Sequence, residues 1–172
     1  MELANRVLDE RPIDMDSSAE FTDLYECHYD AVYRTALRIT GNPADAEDAL
    51  QTVFLRVLSK QGRLDSGQMP GAYFRRAAAN AAIDLLRRRM AGTVVQLKET
   101  TGYAAKETTS LLKEQLRRAL ASLEQTDAAM FLLRYVEGFS NAELAEMYGL
   151  EKNNIAVRLH RIRQALQAEM ER

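Results

Sequence analysis

Gly71-Ala72-Tyr73-Phe74-Arg75-Arg76-Ala77-Ala78-Ala79-Asn80-Ala81-Ala82-Ile83-Asp84-Leu85-Leu86-Arg87-Arg88-Arg89-Met90 is the stretch on which the fold turns. It is alanine-rich and has no β-branched run, so its intrinsic helix propensity is high. Phe74, Ala78, Ala81 and Leu85 fall at i, i+4, i+7 and i+11, one apolar stripe that must pack against another element. Arg76, Asn80 and Arg87 run along a second stripe with Asp84 at its edge. That pattern predicts a cationic, amide-bearing outer face on a helix slim enough to approach a phosphate backbone. Solvated surface charge explains the same face equally well when the helix is taken alone. Gly92, just past the last turn, is the expected C′ residue, and the arginines before it suit the negative end of the helix dipole.

The whole chain of 172 residues is long enough for one domain or two small ones, and its 47% hydrophobic content supports packed cores. No apolar run approaches a membrane span, and the first residues lack a basic-then-apolar leader pattern, so a cytoplasmic protein without membrane insertion is expected. Cys27 is the only cysteine, which excludes an internal disulfide and fits a reducing compartment. The net charge of −2 becomes informative only when divided: residues 1–26 carry eight acids and two bases, whereas 75–90 carry five arginines and Asp84. A nucleic-acid footprint would therefore be local, and the acidic N-terminal arm could compete with it.

Working outward, residues 1–17 lack a clear period and are expected to form a disordered acidic arm. From Ser18 to Thr40, Phe21, Leu24, Tyr25, His28, Tyr29, Val32, Tyr33, Ala36 and Leu37 recur at helical spacing, with His28 packing or capping inside an aromatic row. Gly41-Asn42-Pro43 reads as stop and restart: Gly41 closes one helix, Asn42 caps the next and Pro43 needs no N–H partner there. Asp45, Glu47 and Asp48 then crowd a first turn where the dipole favours acids, ahead of an apolar face of Ala46, Ala49, Leu50, Val53, Phe54, Val57 and Leu58. Residues 59–70 form a loop with two glycines and a proline, which completes a first domain over 18–92. Residues 93–110 are threonine-rich with little apolar period, and are expected to be a flexible linker.

The second domain, 111–172, opens with Leu112, Leu116, Ala119, Leu120 and Leu123 on one helical face. A helix with Met130, Leu133, Arg134 and Val136 ends at Glu137-Gly138, and Ser140-Asn141-Ala142-Glu143 spells a capping box for the next. After Gly149, a last helix turns Ile155, Leu159, Ile162 and Leu166 inward and Lys152, Asn153, Asn154, Arg158, Arg161 and Arg163 outward, the pattern of a helix-turn-helix. The fold class expected is all-α, two small helical domains joined by a flexible linker. No phosphate-binding glycine loop, paired metal-ligand spacing or activated nucleophile is present, so no cofactor, metal or catalysis is expected.

Two blocks of residues together resemble the extracytoplasmic-function (group 4) branch of the bacterial sigma-70 factors. The first runs from Tyr33 to Val57, with Asp45-Ala46-Glu47-Asp48 followed by Gln51 and Phe54, and continues through Ala72–Asn80 to Asp84 and Arg87; it resembles region 2. The second, Leu133–Ser140 with Glu143-Leu144-Ala145-Glu146, Gly149-Leu150 and Arg158–Arg163, resembles region 4. The resemblance implies a factor that binds core RNA polymerase, directs it to promoters and helps open the −10 element.

By that resemblance Asp45, Glu47, Asp48, Gln51 and Phe54 would dock on the clamp helices of the largest polymerase subunit. Lys60, Arg63, Arg76, Asn80, Asp84, Arg87 and Arg88 would serve the opened −10 strand, with loop 59–70 holding a flipped base. Lys152, Asn153, Asn154, Arg158 and Arg161 would meet the −35 duplex. The flap of the second-largest subunit and an anti-sigma factor complete the implied partners. Departures are local: Leu123-Glu124 stands for a usual Leu-Pro, Ala128 for a usual arginine, and Ala156-Val157 for a usual Lys-Ser. The alternatives are a helix-turn-helix regulator acting without polymerase, and a polymerase-interaction module with reduced promoter reading.

Overall fold

The computed structural model describes residues 15–59, 70–93 and 104–171, with side chains described over 19–59, 71–92 and 110–171. Among these residues the fold is seven helices: α1 Met15–Thr40, α2 Pro43–Ser59, α3 Pro70–Thr93, α4 Ala104–Ser122, α5 Gln125–Tyr135, α6 Asn141–Tyr148 and α7 Lys152–Met170. The all-α expectation holds. The arm over 1–14 and the stretches 60–69 and 94–103, with Lys60 and Arg63, lie outside the described residues. α1 starts three residues before Ser18, and α4 starts seven residues before 111, inside the stretch read as linker.

The α1–α2 corner follows from three adjacent residues. Gly41 takes φ +67° and its N–H donates to the Leu37 carbonyl at 2.8 Å. Asn42 Oδ1 then accepts from the Ala44 and Asp45 N–H groups at 2.9 and 3.4 Å, satisfying donors that the first turn of α2 leaves open. Gly41 has a second use. A Cβ there would run into the guanidinium of Arg117, which reaches from α4 to donate to the Ile39 carbonyl at 3.3 Å. Gly92, by contrast, does not take a left-handed φ, and α3 runs past it to Thr93. A glycine inside a helix costs only about 1 kcal/mol, so nothing obliges α3 to stop there.

α1, α2 and α3 close on an aromatic centre. Phe74 is fully buried, with Phe54 stacked against it at 5.3 Å between ring centroids and His28 at 4.4 Å. Burial in this row disfavours the imidazolium and lowers the His28 pKa, so His28 does pack within its aromatic row. Val32, Ala36, Ala46, Ala49, Val53, Val57, Ala78, Ala81 and Leu85 fill the remainder. Leu58, expected on this face, is half exposed.

α3 has a second buried face, and this changes its role. Ala79, Ala82, Ile83 and Leu86 enter a separate core with Ala119, Leu120, Ala128, Ala129, Leu132, Leu133 and the inward residues of α6 and α7. The first three helices and the last four thus meet directly through α3. Alanines on both sides of α3 let neighbours approach closely, which is why a helix this rich in arginine can be covered on two faces.

In the second half, Glu124 caps α5 by accepting from the Asp127 N–H at 3.3 Å. The capping box of α6 is complete: Ser140 Oγ accepts from the Glu143 N–H at 3.2 Å while Glu143 Oε2 accepts from the Ser140 N–H at 2.7 Å. Gly149 ends α6 at φ +63°. Ser140→Ala is expected to cost about 1 kcal/mol in urea unfolding. Its acid dependence has a definite sign. Hydrogen bonds from Ser140 hold the Glu143 carboxyl below its ordinary pKa, so this contribution is present above the usual carboxylate range and lost as pH falls through the depressed value. The backbone N–H of Ser140 is the larger cause and survives in alanine, so Ser140→Ala should flatten the acid limb of the stability curve only in part.

Candidate nucleic-acid interface

The arginines of α3 were expected on an outer face, yet most of them are engaged by the second half of the chain. Arg87 reaches the α4–α5 turn, where Nε donates to the Ala121 carbonyl at 3.0 Å, Nη2 to the Leu123 carbonyl at 2.5 Å and Nη1 to Gln125 Oε1. Gln125 Nε2 in turn donates to the Asn80 carbonyl at 3.0 Å. Arg76 donates to the Met147 carbonyl at 3.2 Å and lies over the Tyr148 ring at 4.3 Å. Burial there pushes the Tyr148 hydroxyl up to about 12. Arg75 and Arg38 both face Glu137, at 3.9 and 3.1 Å, and the Glu137 side chain is only 3% exposed. A guanidinium carries five donors and no acceptor, so it needs an array of oxygens. Here carbonyls, an amide and one carboxylate provide it, as phosphate oxygens would on a nucleic acid.

The other candidates on α3 are freer. Asp84 lies 3.8 Å from Arg56 across the first bundle, and Arg88 is exposed, its Nε donating to the Asp84 carbonyl at 3.4 Å.

On α2, Glu47, Asp48 and Gln51 share one exposed stripe, while Asp45 is half-buried and pairs with Arg89 at 2.5 Å. Phe54 is not on that stripe. It is 4% exposed and packs against Phe21, Tyr25 and Phe74, so it cannot project into a socket on another protein. The exposed apolar side chains beside the acids are Leu55, 63% accessible, and Leu58. Leu55 follows Asp48 by seven residues and Gln51 by four, a spacing visible in the sequence that marks the missed member of this face.

On α7, Lys152, Asn153, Asn154 and Arg161 are exposed, opposite the buried stripe of Ile155, Leu159, Ile162 and Leu166. Arg158 turns back instead, to Asp127 at 2.5 Å and Glu124 at 3.4 Å. Its attraction adds to backbone hydrogen bonds that lower the Glu124 pKa. A separate apolar groove of about 520 Å³ opens between α4, α5 and α7, lined by Leu116, Phe131, Tyr135, Leu166 and Met170. Among the described residues, no helix is long and apolar enough to cross a membrane, and no cluster of His, Cys, Asp or Glu could hold a metal ion.

Comparison with known proteins agrees with this division. Residues 24–91 match the family Sigma-70 region 2, and residues 113–166 match Sigma-70, region 4. The ECF RNA polymerase sigma factor SigE of Mycolicibacterium smegmatis is 31% identical over 89% of this chain, which spans 62% of that relative's length. The RNA polymerase sigma factor CarQ of Myxococcus xanthus is 31% identical over 82% of this chain and 83% of its own. Among solved structures, CnrH in complex with the cytosolic domain of CnrY shares the fold with a TM-score of 0.53 at 20% identity, covering 90% of this chain and 89% of CnrH.

Proposed function

Because this chain belongs to the extracytoplasmic-function branch of the sigma-70 family, factors that bind core RNA polymerase and direct it to promoters, we propose a role for each of its three faces. The exposed stripe of α2, Glu47, Asp48, Gln51 and Leu55, docks on the clamp helices of the largest polymerase subunit, with Asp45 and Phe54 supporting it from beneath. The apolar groove between α4, α5 and α7 receives the flap of the second-largest subunit. The α3 face of Arg76, Asn80, Asp84, Arg87 and Arg88, with Lys60 and Arg63, serves the opened −10 strand, and the outward face of α7 meets the −35 duplex. The chain itself does no catalysis.

The observation that carries this reading is the pairing of α3's arginines with oxygens of the second half. A face built to hold oxygens of a strand is, in the free protein, filled by the protein's own. Arg76 and Arg87 can meet DNA only after α3 parts from α6 and from the α4–α5 turn. The free factor is therefore closed, and binding to polymerase, which holds regions 2 and 4 on separate subunits, supplies the energy that opens it.

In vitro transcription with core enzyme and a randomised promoter library tests the reading. The expected result is a defined set of transcripts that require this chain. Tight duplex binding without polymerase would favour the lone regulator instead, and polymerase binding without specific transcripts would favour the interaction module.

A further inference from the structure

The outward face of α7 carries one residue that its surroundings do not explain. Asn153, Val157, Arg161 and Gln164 recur at i, i+4, i+8 and i+11, diametrically opposite the buried stripe of Ile155, Leu159, Ile162 and Leu166. All four are exposed, and Val157 is 52% accessible. A β-branched residue at an exposed helix position contributes less to the helix than a straight-chain residue and buries little in exchange. It sits in the middle of an amide- and cation-bearing stripe, one turn after Asn153 and one turn before Arg161. Beside it, Leu123 and Leu150 line the same open groove of about 600 Å³, whose polar members are Asn154, Arg161 and the Arg158–Asp127 pair.

We propose that Val157 is a specificity-determining residue that reads the C5-methyl group of a thymine in the −35 duplex. The inference rests on α7 being the −35 helix. In the major groove only thymine presents a methyl group, and apolar side chains discriminate it by contact. Asn153 lies about 6 Å from Val157 along the helix axis, close to two base-pair steps, so an adenine edge read by Asn153 and a methyl read by Val157 fall on nearby base pairs. Arg161, a further turn along, is placed for a phosphate. The stiffness of valine about χ1 suits the task, since its isopropyl group is already ordered before DNA arrives. The −35 sequence this helix prefers is therefore an A·T-containing one, with thymine fixed at one position.

The test uses the full chain with core polymerase and a promoter taken from the randomised library. Each −35 thymine is replaced in turn by uracil, which differs only in lacking the methyl. One replacement should lower the rate of open-complex formation about fourfold, the size expected for one buried methyl group. Val157→Ser should abolish that uracil penalty and leave the melting temperature unchanged, because the side chain is exposed. The proposal is overturned if no uracil replacement has an effect, if Val157→Ser keeps the full penalty, or if the selected −35 elements contain no A·T pair. Absence of any promoter-directed transcript would instead bring down the sigma-factor reading itself, and the two failures are distinct.

Discussion

Asp48→Arg combined with Leu55→Arg is expected to abolish binding to core RNA polymerase while leaving the helical circular dichroism spectrum unchanged. Both side chains are exposed on one stripe of α2, so the folded state should shift by no more than about 0.5 kcal/mol. Binding loses more. Burying a leucine contributes about 1.5–3 kcal/mol, and placing like charges together across an interface costs several more. A loss of about 4 kcal/mol, a thousandfold in Kd, is a reasonable lower figure. Phe54→Ala should behave differently: Phe54 is a core residue, and its truncation is expected to cost about 3–5 kcal/mol of stability. Titration with core enzyme and urea unfolding separate the two effects. Binding that survives the double change would move the polymerase contact off α2.

The second large effect concerns the cover over α3. Ala128 is fully buried on the side of α5 that carries Gln125, and Gln125 bonds to α3. Ala128→Arg would place a long cationic side chain at a position that is fully buried, where there is no room for it. The two halves should part, each retaining its own helices. Arg76, Asn80 and Arg87 would then face solvent, and affinity for a single-stranded −10 oligonucleotide should rise about tenfold at low salt, with the gain shrinking as salt is raised. Fluorescence anisotropy with a labelled strand measures both. An unchanged affinity in a variant that has demonstrably opened would mean that α3's arginines hold the fold and nothing else.

Much of this was legible in the residues. Gly41-Asn42, the capping box at Ser140 and Gly149 act locally, through hydrogen bonds to backbone groups within a few positions, and local chemistry can be read in order along a chain. The aromatic row of α1 was equally plain. What could not be read was which face of α3 is covered. Alanine is as compatible with a core as with a surface, so Ala79 and Ala82 gave no sign that a second stripe was buried. The arginines misled for a related reason, because a guanidinium can be satisfied by carbonyls of its own chain as well as by phosphate. Arg158 is the same case on α7, paired inward with Asp127. Phe54 and Leu55 show the limit of apolar periodicity. Neighbouring positions on a helix differ by 100° in direction, and a phenylalanine draws attention from the leucine beside it, although only the leucine is exposed.

The central claim, that the free factor is closed and opens on polymerase, is tested most directly by a distance measurement. Cys27 is the only cysteine and is exposed on α1, and His160→Cys adds a second exposed label site on α7. Spin labels at these positions, followed by double electron–electron resonance, should give one narrow distance distribution in the free protein. Addition of core RNA polymerase should replace it with a longer one. A broad distribution in the free protein, or a narrow one that polymerase leaves in place, would contradict the account.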